Sequence, residues 1–291
     1  MESLVCITFA IQLVKMMKRI KLFLIFVCAC FQLSAQTYDE LITSAMDAVE
    51  RDSLHRAETY FKKALQLEPA NMRNALLFSN LGTVQRRMGK NKEALESYSL
   101  ALNLTPFSTT MLLNRASLYL DMDYLDKAYV DYCNVIDLDA KNQEALQFRA
   151  YIYMRRRQYQ DARNDYQNLL EVVPGDKTGR IGMAMANQKL QRYRESLEEF
   201  NRLIVDYPKD VSLLKARAEL EVEMNNLEVA LLDLESAVKM APDDSEIYVM
   251  CGDVYMMQGR KREAYVAYEK AVELGIPRSA LQDRLKASKK K

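Results

Sequence analysis

The sequence predicts an all-α protein, a solenoid of about seven helix-turn-helix units followed by a C-terminal capping helix. Three observations carry this prediction. Prolines recur at intervals of about 34 residues, small and bulky side chains recur in a fixed order between them, and polar segments separate the apolar stretches. Self-similarity at a period of about 20 to 50 residues is typical of stacked repeats, each of which buries its apolar face against its neighbours.

Prolines set the period of the repeat, and they stand at Pro69, Pro106, Pro174, Pro208 and Pro242. The last three follow one another at a constant interval, and Ala140 occupies the position where a proline is missing between the second and the third. The first gap is three residues longer than that interval, which predicts a three-residue insertion near 71–74. The remaining proline of this part of the chain, Pro277, comes one residue late for the same period.

The second helix of each unit follows a polar segment and carries three packing positions. The first is small, at Ala57, Ala94, Ala128, Ala162, Ser196, Ala230 and Ala264. Four residues later comes a bulky side chain, at Phe61, Tyr98, Tyr132, Tyr166, Phe200, Leu234 and Tyr268. Three residues further lie Ala64, Ala101, Val135, Leu169, Leu203, Ala237 and Ala271. Spacings of four and seven residues put all three positions on one helical face.

The first helix of each unit is marked by a small residue twelve positions earlier, at Ala45, Gly82, Ala116, Ala150, Ala184, Ala218 and Gly252. A tyrosine often follows three residues later, as at Tyr119, Tyr153 and Tyr255. The polar segments between the two helices, some with Gly89, Gly259 or Asn225, are predicted to be turns.

This order of small, aromatic, small and proline positions in a unit of about 34 residues resembles the tetratricopeptide repeat (TPR) family. The resemblance covers 38–276 and implies a right-handed α-solenoid. The sequence departs from the pattern where Ala140 replaces proline, Leu234 replaces the ring, and Asn187 and Glu221 replace the tyrosine of the first helix.

The resemblance also implies that stacked first helices line a concave groove that binds a protein or peptide. The corresponding positions are Ser79, Thr83, Arg86, Asn114, Ser117, Leu120, Gln147, Tyr151, Met154, Met185, Gln188, Lys215 and Glu219. Some TPR domains hold the C-terminal carboxylate of a chaperone with lysines and asparagines. Asn80 and Asn114 keep one such asparagine position, but Ile42, Glu144 and Phe148 occupy the companion basic positions. We therefore predict no chaperone-tail binding.

Beyond the last repeat, 277–291 is predicted to hold a capping helix and a basic tail. Leu281 and Leu285 stand four residues apart with charged residues around them, as expected of a helix that covers the exposed end of a stack. The final lysines are interpreted as a solvated terminus.

Residues 1–35 are predicted to be a signal peptide that is cleaved after Ala35. Lys18, Arg19 and Lys21 precede an apolar run over 22–31, and this run is shorter than the roughly 20 residues that a membrane-spanning helix needs. Residues 1–15 fit this layout poorly, so translation is suspected to start at Met16 or Met17. In the alternative reading, Cys30 is the lipidated cysteine of a lipoprotein.

The charge pattern argues against nucleic acid as the partner. The 41 basic and 40 acidic residues are interspersed, and removing 1–35, with four basic residues and one acidic, leaves 37 against 39 and a formal charge of −2. No field of one sign remains to attract nucleic acid or an anionic membrane, and no stable membrane insertion is expected after leader cleavage. The oligomeric state is left open.

The residues that chemistry would need are scarce, and we expect no enzymatic activity, cofactor or metal. His55 is the only histidine, so the chain cannot itself assemble a Ser-His-Asp, Cys-His or multi-histidine site. No phosphate-binding glycine loop occurs. Cys133 and Cys251 fall in repeats three and seven, too far apart along a solenoid for a disulfide, and are expected to be free thiols.

The sequence thus predicts a non-catalytic scaffold of the bacterial cell envelope, exported to the periplasm or envelope-associated, that binds a partner protein or peptide. The alternative is an accessory subunit that binds carbohydrate or peptidoglycan, which would require several exposed aromatic rings in the groove. Tyr151 is the clear candidate for such a ring.

Overall fold

The computed structural model describes residues 36–289, and within that range the chain forms fifteen α-helices, one short 3-10 helix and no strand. Contacts group these helices into two compact units, the first ending at Pro106 and the second beginning at Phe107. The predicted leader, the suspected start at Met16 or Met17, the lipidation site at Cys30 and the last two lysines of the tail lie outside the described residues. The all-α solenoid of TPR-like helix pairs is confirmed.

The first unit holds two antiparallel helix pairs, formed by α1 (Tyr38–Glu50) with α2 (Leu54–Leu67) and α3 (Asn74–Arg87) with α4 (Asn91–Leu104). The second unit holds five pairs, α5 (Thr109–Asp121) with α6 (Leu125–Leu138), α7 (Gln143–Arg155) with α8 (Tyr159–Val172), α9 (Lys177–Lys189) with α10 (Tyr193–Asp206), α11 (Val211–Glu223) with α12 (Leu227–Met240), and α13 (Ser245–Met257) with α14 (Lys261–Glu273). A 3-10 helix (Arg278–Leu281) and α15 (Gln282–Lys289) follow. Odd-numbered helices up to α13 are the first helices of their repeats, and even-numbered ones are the second.

Local sequence fixes where the helices of a pair begin and end. The first helices of six repeats begin after a residue whose side chain accepts a backbone N–H of the first turn, at Thr37, Ser108, Asn142, Asp176, Asp210 and Asp244. The turns between paired helices need a left-handed residue, and in two repeats glycine supplies it with φ of 74° at Gly89 and Gly259. The other five use a non-glycine residue there, Asp52, Asp123, Arg157, Gln191 and Asn225.

The core follows the predicted packing positions. Every small residue that opens a second helix and every bulky residue four positions later is buried in the structure. In two repeats the small residue of the first helix is glycine, and a Cβ built on Gly252 would lie 2.4 Å from Cε1 of Tyr268. The small residue is therefore what lets the ring of the second helix reach the first helix.

Two departures from the repeat pattern are absorbed by hydrogen bonds. Asn187 is buried and its Oδ1 accepts Nε of Arg163 on the preceding helix at 2.9 Å. Glu221 is also buried, and its carboxylate accepts Nδ2 of Asn226 at 2.7 Å. Buried polar side chains are tolerated when they are paired in this way, so the two repeats keep their fold.

The predicted insertion near 71–74 forms the link between the two helix pairs of the first unit. Asn74, which begins α3, is 1% exposed, and its Oδ1 accepts the hydroxyl of Tyr38 at 2.9 Å. Its Nδ2 donates to the carbonyl of Glu68 at 2.8 Å. The inserted residues therefore carry an internal hydrogen-bond network, while Met72 at the tip is 85% exposed.

A charged cluster lies inside the first unit around Glu58 on α2. Its carboxylate accepts Nζ of Lys62 at 2.7 Å and Nζ of Lys90 at 2.6 Å, and Nε2 of Gln85 at 3.4 Å. Burial by itself would raise the pKa of Glu58, but these hydrogen bonds outweigh it and hold the pKa at about 2. The cluster connects α2 to α3 and to the turn before α4.

The C-terminal helix covers the last repeat. Leu281 and Leu285 are buried and join one apolar cluster with Ala264, Tyr268 and Ala271 of α14. Apart from these leucines and the buried Ser288, the segment is exposed, and five of its exposed residues are charged. Its sequence pattern had predicted this role, since the end of a repeat stack needs a cover with a polar outer side.

Candidate partner-binding face

The first helices of the second unit lie side by side, and ion pairs about one repeat apart connect them. Nζ of Lys177 on α9 lies 2.5 Å from Oδ2 of Asp210, the residue that caps α11. Lys189 near the other end of α9 pairs with Glu223 of α11 at 2.9 Å. The face formed by α5, α7, α9, α11 and α13 is called here the first-helix face.

Two large apolar side chains on neighbouring helices are exposed on this face, as is Met257 of α13. Tyr151 of α7 is 40% exposed and Met185 of α9 is 42% exposed. They occupy the same position of successive repeats, and the two helices that carry them contact each other. The hydroxyl of Tyr151 accepts Nη1 of Arg155 at 2.9 Å, and Arg155 also donates to Asp123 at 3.1 Å. Arg155, whose guanidinium also lies over the Tyr151 ring at 5.8 Å from its centroid, thus orients the ring while the residue stays partly exposed.

The other candidates of the second unit differ in how far a partner could reach them. Five are half-buried, namely Asn114, Ser117, Leu120, Gln147 and Met154. Lys215 forms ion pairs with Asp244, at 3.3 Å, and with Glu246. Its ammonium therefore joins α11 to the start of α13 and is less free for a partner than the sequence suggests.

Glu219 is exposed at the edge of a shallow cleft between α11 and α13. This cleft has a volume of about 310 Å³, and Val222, Met250 and Met257 line it with Glu219. Partial desolvation raises the pKa of the Glu219 carboxyl, against the opposing effect of Lys189. An acidic group on an apolar surface can accept a basic side chain with an aliphatic stem.

Some of the predicted groove positions are not available to a partner. Ser79 is 5% exposed and Gln188 is 6% exposed, because packing between neighbouring helices covers them. Thr83 is exposed, but its hydroxyl is engaged within the repeat, 3.0 Å from the hydroxyl of Tyr98. Burial raises the pKa of Tyr98, while Thr83 and Arg86 oppose that shift. Ser79, Thr83 and Arg86 belong to the first unit, whereas the other ten candidates belong to the second.

Sequence reasoning missed a second repeated constellation, on first helices of three repeats of the second unit. Arginines of first helices form bidentate ion pairs with aspartates sixteen residues later on the second helix of the same repeat, as Arg115–Asp131, Arg149–Asp165 and Arg217–Asp233. The donor–acceptor distances are 2.6–2.8 Å. The recurrence of arginine and aspartate at whole multiples of the repeat length was the signal that would have revealed these pairs.

The described residues give little support for other chemistry. Among residues 36–289, no group of three or more His, Cys, Asp and Glu side chains is arranged to hold a metal ion. Cys133 and Cys251 are free thiols there. No helix in that range is both long enough and apolar enough to cross a bilayer.

Stacked helix pairs with small-to-aromatic packing define a helical repeat protein, and comparison with known families identifies the kind. Tetratricopeptide repeat models match residues 149–211 and 215–278, and a further tetratricopeptide repeat model matches 109–142. A crystal structure of a tetratricopeptide repeat protein from Parabacteroides merdae is 35% identical, covers 88% of this chain and 100% of that one, and has a TM-score of 0.69. The chain belongs to the tetratricopeptide repeat family.

Two further similarities are more distant. The DnaJ homolog subfamily C member 7 homolog of Schizosaccharomyces pombe is 25% identical over 190 residues, which are 61% of this chain and 38% of that protein. The chain therefore spans well under two thirds of that relative. The structure of YrrB, described as a TPR protein with an unusual peptide-binding site, is 16% identical with a TM-score of 0.52, covering 67% of this chain and 100% of that one. At this identity the likeness concerns the fold alone.

Proposed function

We propose that this protein is a non-catalytic scaffold of the bacterial cell envelope that binds a segment of a partner protein on the first-helix face of its second unit. The observation that carries the proposal is the pair Tyr151 and Met185, both about two-fifths exposed on adjacent first helices. Tetratricopeptide repeat proteins act as protein-interaction scaffolds, and YrrB is one protein of similar fold that is described with a peptide-binding site.

The composition of the face favours a partner segment with apolar anchors. Aromatic residues and methionine are enriched where proteins bind one another, since they bury large apolar areas on contact. Leu120, Gln147 and Met154 on the neighbouring first helices α5 and α7 are half-buried, and they offer apolar surface and one amide for hydrogen bonds. An amphipathic helix or an extended segment would place apolar side chains on this surface at one-repeat spacing.

The envelope location rests on the leader sequence. Positively charged residues, a short apolar run and the small residues Ser34 and Ala35 follow the order that export signals require. Export would bring the repeat array into contact with envelope proteins.

The experiment is site-specific photo-crosslinking in the native host. A photoreactive amino acid replaces Met185 in the full chain, and the crosslinked species from the envelope fraction are identified by mass spectrometry. A matched probe replaces Val205, which is 78% exposed on α10, a second helix. The expected result is one dominant protein partner at Met185 that is absent at Val205.

A pair of variants tests the same contact without a crosslinker. Tyr151→Ala with Met185→Ala should lose co-purification of the partner, whereas Val130→Ala with Val205→Ala should keep it, because Val130 and Val205 are exposed on second helices. Equal capture by both double variants would contradict the proposed face. Recovery of glycans in place of a protein would favour the carbohydrate-binding alternative.

A further inference from the structure

In two repeats of the second unit, an arginine of the first helix lies in the furrow between its own second helix and the second helix of the preceding repeat. Arg149 of α7 pairs with Asp165 of α8 and also donates through Nη1 to Sγ of Cys133 on α6, at 3.7 Å. Arg217 of α11 repeats the arrangement. It pairs with Asp233 of α12 and donates to Oδ1 of Asn201 on α10, at 2.6 Å. Each arginine therefore joins its own second helix to the preceding one.

The last repeat lacks this arginine and its aspartate. Cys251 stands one repeat after Arg217, and Ala267 stands one repeat after Asp233. Both replacements are small and carry no charge, and both are buried. On the preceding second helix, Glu235 occupies the position that corresponds to Asn201, where the arginine would have met its neighbour.

A cleft of about 900 Å³ occupies the place of the missing ion pair. Val238 of α12, Cys251 and Tyr255 of α13, and Val266 and Ala267 of α14 supply its apolar lining. Pockets of a few hundred to about 1,000 Å³ that are mainly apolar and carry a few polar groups are typical of small-molecule sites. The exchange of two charged residues for small ones has thus turned a polar furrow into an apolar cleft.

The rim of the cleft carries an excess of positive charge. Within the described residues, Lys239 and Arg262 form no ion pair, and they stand on opposite walls, α12 and α14. Of the carboxylates that line the cleft, Glu235 forms no ion pair within the described residues. The remaining charges of the lining are neutralised locally, since Glu263 pairs with Arg260 and Lys270 pairs with Glu273. Two unpaired cations against one carboxylate leave the rim with one uncompensated positive charge.

We infer that this cleft binds an amphipathic small molecule with an apolar body and a single carboxylate, the body lying on Cys251, Val266 and Ala267 and the carboxylate meeting Lys239 or Arg262. The site lies on the side of the second helices, away from the first-helix face, and is independent of the proposed scaffold function. Its ligand class follows from the apolar lining and from the charge that the rim leaves uncompensated.

The Cys251 thiol reports occupancy of the cleft directly. Burial, with a smaller effect of Glu235, raises the pKa of Cys251 to about 11, so alkylation by N-ethylmaleimide at pH 8.5 is slow and sensitive to further covering. The mature protein is treated with the reagent with and without dodecanoate below its micelle concentration, and modification of each cysteine is followed by peptide mass spectrometry. The expected result is about tenfold protection of Cys251 at saturation. Cys133, far from the cleft, should react at an unchanged rate.

Two comparisons test the chemistry of the site, both measured by displacement of the fluorescent anion 8-anilinonaphthalene-1-sulfonate. Dodecyltrimethylammonium has the same tail with the opposite charge and should bind at least about tenfold more weakly than dodecanoate. The double variant Cys251→Arg with Ala267→Asp restores the pair found in other repeats and should bind dodecanoate at least about tenfold more weakly, with an unchanged circular dichroism spectrum.

A second variant tests the cleft without relying on correct folding of the double variant Cys251→Arg with Ala267→Asp. Val266→Asp places a carboxylate on the cleft lining, and Leu232→Asp places one at the same position of the preceding repeat, outside the lining. Val266→Asp should abolish dodecanoate binding, and Leu232→Asp should leave it intact. The double variant Tyr151→Ala with Met185→Ala, on the first-helix face, should also leave dodecanoate binding intact. Unsaturable binding, equal affinity for the cationic analogue, or undiminished affinity after Val266→Asp would each overturn the inference.

Discussion

Removing Arg149 alone from its ion pair with Asp165 is expected to cost more stability than removing both partners. The two side chains are only 18% and 5% exposed and meet through two hydrogen bonds of 2.7 and 2.8 Å. Breaking a fully buried pair costs about 3–5 kcal/mol, because a charge is left without compensation. Replacing both partners removes both charges and leaves mainly a loss of packing.

The geometry sets the expected order of the three variants. Arg149→Met leaves the nearly inaccessible carboxylate of Asp165 unpaired and should cost about 3 kcal/mol. Asp165→Ala should cost about 2 kcal/mol, since the guanidinium of Arg149 is nearer the solvent and keeps Cys133 as a neighbour. The double variant should lose about 2 kcal/mol, so that the coupling between the two sites is about 3 kcal/mol.

The assay is urea unfolding followed by far-ultraviolet circular dichroism, with hydrogen exchange on α7 and α8. Exchange is needed because repeat arrays can unfold in segments, for which a single free energy is not defined. Arg194→Met provides the control, since Arg194 pairs with Glu198 on an exposed surface of α10 and should show no measurable loss. The reasoning fails if the double variant loses the sum of the two single losses, or if the singles match the control.

Three further predictions concern separate parts of the chain. Gly252→Ala should destabilise the protein by about 1–2 kcal/mol in thermal unfolding, because crowding of the Tyr268 ring outweighs the gain in helix propensity. The control Gly175→Ala should be neutral or stabilising, because a Cβ at Gly175 would have no neighbour within 4 Å. The pKa of Glu58 is about 2 in the folded protein, against a reference value of 4.5. The ionised Glu58 therefore stabilises the folded state fully above pH 4.5, and this stabilisation is lost as the pH falls through 2. Glu58→Gln should therefore flatten the acid side of the stability profile measured by urea titration; a slope as steep as that of the wild type would contradict this. Edman sequencing of the secreted or envelope form should begin directly after Ala35, whereas a blocked N-terminus would favour lipidation at Cys30.

Much of the fold could be predicted from the sequence because the repeat constrains it many times over. The small residue, the ring four positions later and the proline recur at fixed spacing, and a helix pair is the arrangement that brings such residues together on one side. Ala116 and Tyr132 are fully buried where this spacing puts them. The capping role of Leu281 and Leu285 followed in the same way, from two apolar residues one helical turn apart.

The candidate site could be predicted only in outline. Family resemblance named one face of each first helix, but the burial of Ser79 and Gln188 and the ion pairs of Lys215 depend on neighbouring helices, which a single-helix pattern does not describe. Periodicity gives the direction of a side chain, whereas accessibility is a property of the atoms that surround it.

The sequence by itself therefore determined the class of fold, the register of each helix pair and the scarcity of catalytic groups, because local spacing and residue type decide these. Only the tertiary structure decided which side chains remain exposed, and it alone showed the cleft beside Cys251. The physical reason is that Cys251 and Ala267 lie on different helices, and the space that they leave exists only once α12, α13 and α14 are packed together.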